Sequence, residues 1–115
     1  MAGDKAEKMS DPIKRLRRRA GAWLKTQRNA VGLTQKDLAK ELGLEYYTFV
    51  SQIESGHGRV PSNLYESWAA CLKMPAPEFA QKMLEFYDPY AFRALGFDVT
   101  ESLAQDVFNE KKASN

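Results

Sequence analysis

The chain has 115 residues, of which 43% are hydrophobic and 28% charged, as expected for one globular domain with a single core. No stretch approaches the ~20 apolar residues needed to cross a membrane, and the polar residues 1–11 lack the apolar run of a secretory signal. Cys71 is the only cysteine, which excludes an internal disulfide and a cysteine-rich zinc site. We therefore expect a cytoplasmic protein without a membrane partner, in which Cys71 is a small core residue.

Charge is distributed unevenly along the chain, although the formal net charge is only +2. Residues 12–61 contain ten Lys or Arg and four Asp or Glu, whereas residues 62–115 contain five and eight. A basic front half with an acidic back half favours a polyanionic partner at one face. The alternative is a solvated surface with a chance bias.

Apolar spacing and helix-start signals predict helices along the chain, and no alternating run is long enough for a strand. Asp11-Pro12 predicts an N-cap followed by proline at the first helical position, so the first helix is expected over residues 12–30. Thr34, with Asp37 three residues later, is close to a capping box. Further helices are expected over residues 35–42, 46–55, 78–87, 90–95 and 101–108, and a fourth helix is expected from Leu64 to Leu72. The predicted class is therefore all-α.

Three local features complete the expected elements. Val50 and Ile53 are expected to turn inward on the third helix, with Phe49 beside them. Ser62 or Asn63 is expected to cap the fourth helix. The segment Gly56-His57-Gly58-Arg59-Val60-Pro61 is predicted to be a loop, because two glycines and a proline cannot lie inside a helix of this size.

Two of the short helices, residues 35–42 and 46–55, are joined by only a few residues around Gly43, which is the helix-turn-helix arrangement. Four groups of residues add detail to this spacing: Gly32-Leu33-Thr34-Gln35, Leu38-Ala39, Leu42-Gly43 and Ile53-Glu54-Ser55-Gly56. On these residues, the region 20–73 resembles the Cro/repressor-type helix-turn-helix of the Xre family. One departure is that the segment between Gly43 and Glu54 is one residue longer than the usual pattern, so we expect an extended turn at Gly43-Leu44-Glu45.

The resemblance implies a compact five-helix domain in which the second motif helix enters the DNA major groove. It places Glu45 or Tyr46 at the N-cap of that helix. It also places base-contacting side chains at Tyr47, Thr48, Ser51 and Gln52. Residues 48, 51, 52 and 55 share one helical face, glutamine can pair bidentately with adenine, and threonine can offer a methyl group to thymine. For Tyr46 and Tyr47 the alternative is packing against the neighbouring helix.

Phosphate contacts are predicted in three regions. The N-terminus of the second helix presents backbone N–H groups, the glycine loop allows close approach of backbone, and the run Lys14-Arg15-Leu16-Arg17-Arg18-Arg19 can lie along the DNA backbone or enter a narrow minor groove. The alternatives are simple capping for the first region and solvation for the others. The predicted phosphate contacts are Thr34, Gln35, Tyr46, His57, Arg59, Arg17 and Arg18.

Arg28 and Glu54 match a family pair that links the first helix to the end of the recognition helix, so a structural ion pair is expected, with ordinary surface charges as the alternative. Catalytic and metal-binding patterns are lacking. The chain has one His and one Cys, and Gly56-x-Gly58 lacks the glycine, Lys and Ser/Thr of a phosphate-binding loop. We therefore predict no enzyme activity, no cofactor and no metal.

Domain organisation is predicted in four parts. Residues 1–11 form a disordered tail, residues 12–74 the helix-turn-helix DNA-binding domain, residues 75–109 a C-terminal helical extension, and residues 110–115 a frayed tail. The extension is rich in aromatic residues and is predicted to serve for dimerisation or partner docking, with added core as the alternative. Dimers suit this motif, because two half-sites double the contacts with DNA.

The sequence therefore predicts a bacterial or phage transcriptional regulator, repressor or activator, that binds double-stranded DNA as a homodimer at the nucleoid. RNA polymerase or another regulatory protein is a possible further partner of the acidic back half. The alternative function is a protein-interaction module, such as the antitoxin of a toxin–antitoxin pair, with DNA binding as autoregulation.

Overall fold

The computed structural model describes the backbone of residues 11–113 and the side chains of residues 11–109. Within this part of the chain the fold is all-helical, as predicted. It consists of α1 (Pro12–Ala30), α2 (Gln35–Glu41), α3 (Thr48–Glu54), a 3₁₀ turn (Ser62–Leu64), α4 (Tyr65–Cys71), α5 (Ala76–Tyr87), α6 (Pro89–Ala94) and α7 (Ser102–Ala113). None of the described helices is long and apolar enough to span a membrane.

The two strongest helix-start signals act as the sequence predicts. The Asp11 carboxylate accepts a hydrogen bond from the Ile13 N–H at 2.8 Å, and Pro12 follows at the first helical position. At α2, the Thr34 hydroxyl accepts from the Asp37 N–H at 3.0 Å, and the Asp37 carboxylate accepts from the Thr34 N–H at 2.9 Å. This complete capping box satisfies two backbone donors that the helix itself cannot pair. The rest of the predicted N-terminal tail, residues 1–10, lies outside the described residues.

One hydrophobic core joins the front and back of the chain. Its fully buried large side chains come from five helices: Leu16, Leu24, Leu38, Val50, Trp68, Phe79, Met83 and Phe86. Trp23 of α1 packs against Phe79 and Phe86 of α5, with ring centroids 6.3 and 6.2 Å apart. The long helix α1 is therefore the central element, and α3, α5 and α7 all pack on it.

Close backbone contact sets how α3 lies on α1. A methyl group added at Gly21 would stand 2.6 Å from the carbonyl carbon of Glu54 and 2.8 Å from the carbonyl oxygen of Ile53. Real side chains do not approach backbone this closely, so only glycine fits at this crossing. Gly21 therefore lets the C-terminal end of α3 rest directly on the α1 backbone.

The structure corrects two predictions about the recognition helix. Its N-cap is Tyr47, not Glu45 or Tyr46, and Tyr47 makes no side-chain capping hydrogen bond. Without a Ser, Thr, Asn or Asp at that position, the helix begins only at Thr48, after the extended turn that follows Gly43. Phe49 does not join Val50 and Ile53 in the core, because its side chain is 38% exposed.

Later element boundaries also differ from the predictions. Neither Ser62 nor Asn63 caps α4; both lie in the 3₁₀ turn that precedes it. Helix α5 begins at Ala76 and not at Glu78. Pro77 lies in its first turn, where proline is tolerated because the N–H that it lacks would have no partner within the helix. Cys71 is only partly buried, and this burial raises the pKa of its thiol, with Glu41 adding a smaller effect.

The chain end is more ordered than predicted. Helix α7 continues to Ala113, so the first four residues of the predicted frayed tail are helical, and residues 114–115 lie outside the described part. Ala104 and Val107 of α7 are buried in the common core. The Glu85 carboxylate of α5 accepts hydrogen bonds from the Thr100 and Glu101 N–H groups at 2.6 and 2.9 Å, just before α7. Part of the C-terminal extension is therefore added core, the alternative left open by the sequence.

Candidate nucleic-acid interface

Helix α3 has one buried face and one exposed face. Val50 and Ile53 are 0% and 2% exposed and anchor the helix to the core. On the opposite side Thr48 and Gln52 are exposed, and Ser51 between them is partly buried. Polar side chains at helical spacing thus point away from the protein, in the arrangement that lets a helix contact base edges in a major groove.

Exposed aromatic side chains surround the start of α3. Tyr46 is 66% exposed and Tyr47 43%, so neither is sealed against the neighbouring helix. The Lys36 ammonium lies 5.5 Å from the centroid of the Tyr47 ring. Beside Tyr46, an open groove of about 460 Å³ is lined in part by Phe49, Gln52 and Arg59. The surface around α3 therefore offers apolar contact area together with hydrogen-bonding groups.

A buried ion pair fixes the end of α3. The Arg28 guanidinium of α1 donates to the two Glu54 carboxylate oxygens at 2.8 and 3.0 Å, and the two side chains are 7% and 3% exposed. Arg28 also donates to the Leu33 carbonyl at 2.7 Å, and the Gln35 side-chain amide donates to Glu54 at 3.0 Å. This bidentate pair connects α1, the start of α2 and the end of α3, the three parts that a helix-turn-helix must hold in register.

At the N-terminus of α2, the side chains of the two predicted phosphate contacts already have partners within the protein. The Thr34 hydroxyl belongs to the capping box, and the Gln35 amide is bonded to Glu54. Hydrogen bonding of the Asp37 carboxylate, first to the backbone and then to the side chain of Thr34, lowers the pKa of Asp37. If a phosphate binds here, the backbone N–H groups of the first turn are therefore the main donors.

The loop after α3 contacts both α1 and α5. Gly56 has a φ of +89°, and a methyl group added there would lie 2.9 Å from the Arg18 Cα, so α1 passes directly over the loop. Further along the loop, the Arg59 guanidinium lies 4.8 Å from the centroid of the Tyr87 ring of α5. The Val60 N–H donates to the Tyr87 hydroxyl at 3.2 Å.

Cationic side chains converge beside this loop. Arg59 and Arg18 are exposed, Arg17 is partly buried, and both Arg17 and Arg59 act electrostatically on the Tyr87 hydroxyl. His57 is exposed, and its Nδ1 lies 2.8 Å from the Ser55 hydroxyl. Two predicted phosphate-binding regions, the start of α1 and the glycine loop, are thus neighbours in space.

The structure thus gathers the predicted side chains around α3, with contributions from α1, α2 and the following loop. Sequence reasoning missed two residues that shape this surface, Gly21 and Tyr87, and it wrongly placed a third, Phe49, beside the core. The available signal for Gly21 was that a glycine interrupts the apolar stripe of α1. No such signal existed for Tyr87, because it lies too far along the chain to be connected with Arg59 by spacing. Among the described residues, no cluster of three or more His, Cys, Asp or Glu could hold a metal ion.

A comparison with known protein families finds a match for the central part of the chain. Residues 24–65 match the family model described as helix-turn-helix, a family of DNA-binding domains rather than of enzymes. The match runs from the second half of α1 through α2, α3 and the glycine loop to the first residue of α4. No curated protein matches the chain.

Proposed function

We propose, from the premise that this chain carries a helix-turn-helix DNA-binding domain of the Cro/repressor (Xre) type, that it is a sequence-specific transcriptional regulator that reads the major groove with α3. The observation that carries the proposal is the polarity of α3: Thr48 and Gln52 are exposed directly opposite the buried Val50 and Ile53. A helix held by one apolar face and presenting amide and hydroxyl groups on the other is suited to base recognition.

Base reading is assigned to Tyr47, Thr48, Ser51 and Gln52, of which Gln52 has the most freedom to pair with adenine. Tyr47 lies at the N-cap of α3, where its ring can contact a base edge or the sugar. Each well-formed bidentate contact discriminates against a wrong base by roughly 1–3 kcal/mol.

Backbone binding is assigned to groups on both flanks of α3. The backbone N–H of Gln35 and the Tyr46 hydroxyl hold one flank, together with the Thr34 hydroxyl, which accepts a hydrogen bond in the capping box and can still donate its own hydrogen to a phosphate. The cationic side chains of Arg17, Arg18 and Arg59, with His57, hold the other. Phosphate contacts of this kind fix the orientation of the protein on the duplex but do not select sequence.

A homodimer is the proposed binding form, with residues 75–109 supplying the contact between subunits. Within this extension the exposed large apolar side chains lie at α6 and just after it, where Tyr90, Leu95 and Phe97 are 46%, 67% and 37% exposed. The same surface favours the second candidate, a module such as an antitoxin that captures a protein partner and binds DNA for autoregulation. Light scattering at micromolar concentration tests the homodimer, which a strict monomer with and without DNA would reject. Co-purification of a stoichiometric second protein would support the module.

The decisive test is selection of bound duplexes from a pool with a random central segment, followed by affinity measurement on the enriched sequence and a shuffled version of it. We expect a preference of at least about a thousandfold at physiological salt, the lower end of specific binding. A dimer predicts two half-sites about one helical turn apart. Binding without any enriched sequence would reduce the protein to a non-specific DNA binder and reject the regulator proposal.

A further inference from the structure

The loop that carries Arg59 is anchored from outside the helix-turn-helix match. Tyr87 belongs to α5, 22 residues beyond the end of the matched segment 24–65, and its side chain lies directly under this loop. Tyr87 is 7% exposed and Val60 is 2% exposed. The Tyr87 hydroxyl accepts the Val60 N–H, while the face of its ring supports the Arg59 guanidinium.

These two contacts act on adjacent residues and constrain both the backbone and the cation. A buried N–H without an acceptor is costly, so the Tyr87 hydroxyl determines where the backbone at Val60 lies. The ring then attracts the guanidinium over its face and limits the rotamers of Arg59. Without these two contacts, Arg59 would be a long, unsupported side chain next to the flexible Gly58. It would then lose more conformational entropy on binding a phosphate.

We propose that Tyr87 is a positioning residue for DNA binding, which orders the loop after α3 so that Arg59 is held ready for a backbone phosphate. This inference rests on the proposed function, because it assigns Arg59 to the DNA backbone. It places part of the DNA-binding apparatus on α5, so that the C-terminal region serves DNA binding directly as well as any contact between subunits.

A double-mutant cycle on the full chain tests the proposal. The probe is a fluorescent 20-base-pair duplex of arbitrary sequence, titrated by anisotropy at several salt concentrations. Arg59→Ala is expected to weaken binding several-fold at low salt and to reduce the salt slope by about one unit. Tyr87→Leu is expected to reproduce most of both effects. In the Arg59→Ala background, Tyr87→Leu is expected to change the affinity by less than about twofold.

Two further variants separate positioning from general stability. Met83→Ala removes a fully buried side chain one turn earlier on α5, so it should lower the melting temperature but leave the salt slope unchanged. Tyr87→Phe keeps the ring and removes only the acceptor. It should raise the hydrogen-exchange rate of the Val60 amide at least about tenfold while weakening DNA binding less than Tyr87→Leu does. All titrations are made at a temperature at which circular dichroism shows each variant folded.

The outcomes distinguish this proposal from the one on which it rests. If the unmodified protein binds no duplex at low salt, the regulator proposal and this inference are both rejected. If it binds but Tyr87→Leu keeps the original affinity and salt slope, only the role of Tyr87 is rejected. Equal losses from Tyr87→Leu in the presence and absence of Arg59, or an unchanged Val60 exchange rate in Tyr87→Phe, would also overturn it.

Discussion

Removing either partner of the Arg28–Glu54 pair should be among the most destabilising polar substitutions in the described part of the chain. Both charges are almost fully buried, and their bidentate contact has N–O distances of 2.8 and 3.0 Å. At an effective dielectric constant of about 20, two unit charges about 4 Å apart attract by about 4 kcal/mol. That attraction is offset by the cost of removing both groups from water, so the pair as a whole contributes little net stability.

Removing one member of the pair should cost more than the pair contributes as a whole, because the remaining charge stays buried without its partner. Arg28→Met leaves the Glu54 carboxylate buried with only the Gln35 amide as a hydrogen-bond donor, and Glu54→Leu leaves a buried guanidinium without its carboxylate. Each single substitution is therefore expected to cost about 3–5 kcal/mol. In the double variant Arg28→Met/Glu54→Leu no charge remains buried, so its cost should be at least about 2 kcal/mol smaller than the sum of the two single costs.

Urea unfolding, followed by far-ultraviolet circular dichroism for all four proteins, measures these free energies. For a domain whose total stability is about 5–15 kcal/mol, each single variant should show a clearly lower midpoint, and the double variant a partial recovery. The pair formed by Arg19 and Glu101, with an N–O distance of 3.8 Å, provides the matched control when it is broken at Arg19, whose side chain is 56% exposed. Glu101 keeps its bond with Lys82, so the loss should cost about 0–1 kcal/mol. Strict additivity of the Arg28 and Glu54 effects would refute the argument.

Three other predictions concern the placement, capping and surface of the motif helices. Gly21→Ala gains about 1 kcal/mol of helix propensity but must push the Glu54 backbone away, so a net loss of stability is expected in urea unfolding, and a more stable variant would contradict the crossing described above. Because the pKa of Asp37 is lowered by its hydrogen bonds with Thr34, its stabilising effect is complete above the ordinary carboxyl pKa and is lost as the pH falls through the lowered one. Asp37→Asn should therefore lower the melting temperature at pH 7, with the difference from the unmodified protein closing in acid; a difference that does not vary with pH would exclude this explanation. Gln52→Ala should weaken binding to the selected operator by about five- to 150-fold in gel-shift titrations and leave shuffled DNA unaffected, whereas Gln81→Ala, an exposed glutamine on α5, should change neither; equal losses on both duplexes would remove Gln52 from base reading.

The elements that local chemistry determines were predictable from the sequence. Helix α1 begins and ends where its N-cap, proline and apolar stripe indicate, and the capping box at Thr34 and Asp37 forms as its spacing implies. These signals depend on neighbouring residues only, so no knowledge of the tertiary structure was needed.

Features that depend on contacts between distant segments were not predictable in this way. Helix α3 begins two residues late because nothing at the preceding positions caps it, and Phe49 is exposed because its position lies at the border of the buried face. The crossing at Gly21 and the support of Arg59 by Tyr87 join residues at least 28 positions apart. Periodicity identifies which face of a helix is apolar, but it does not identify the segment that will cover that face.

The boundary predicted after residue 74 illustrates this difference, and it remains a prediction. Helix α5 supplies three fully buried core residues, Phe79, Met83 and Phe86, and two of these rings cover Trp23 of α1. A chain that ended at residue 74 would expose this face of α1 and leave the Val60 N–H without its acceptor. The local sequence of the motif defines a helix-turn-helix, yet the rigidity with which it presents Arg59 depends on a helix that follows it. Residues after 74 are therefore expected to affect the affinity for DNA even in a protein that remains monomeric.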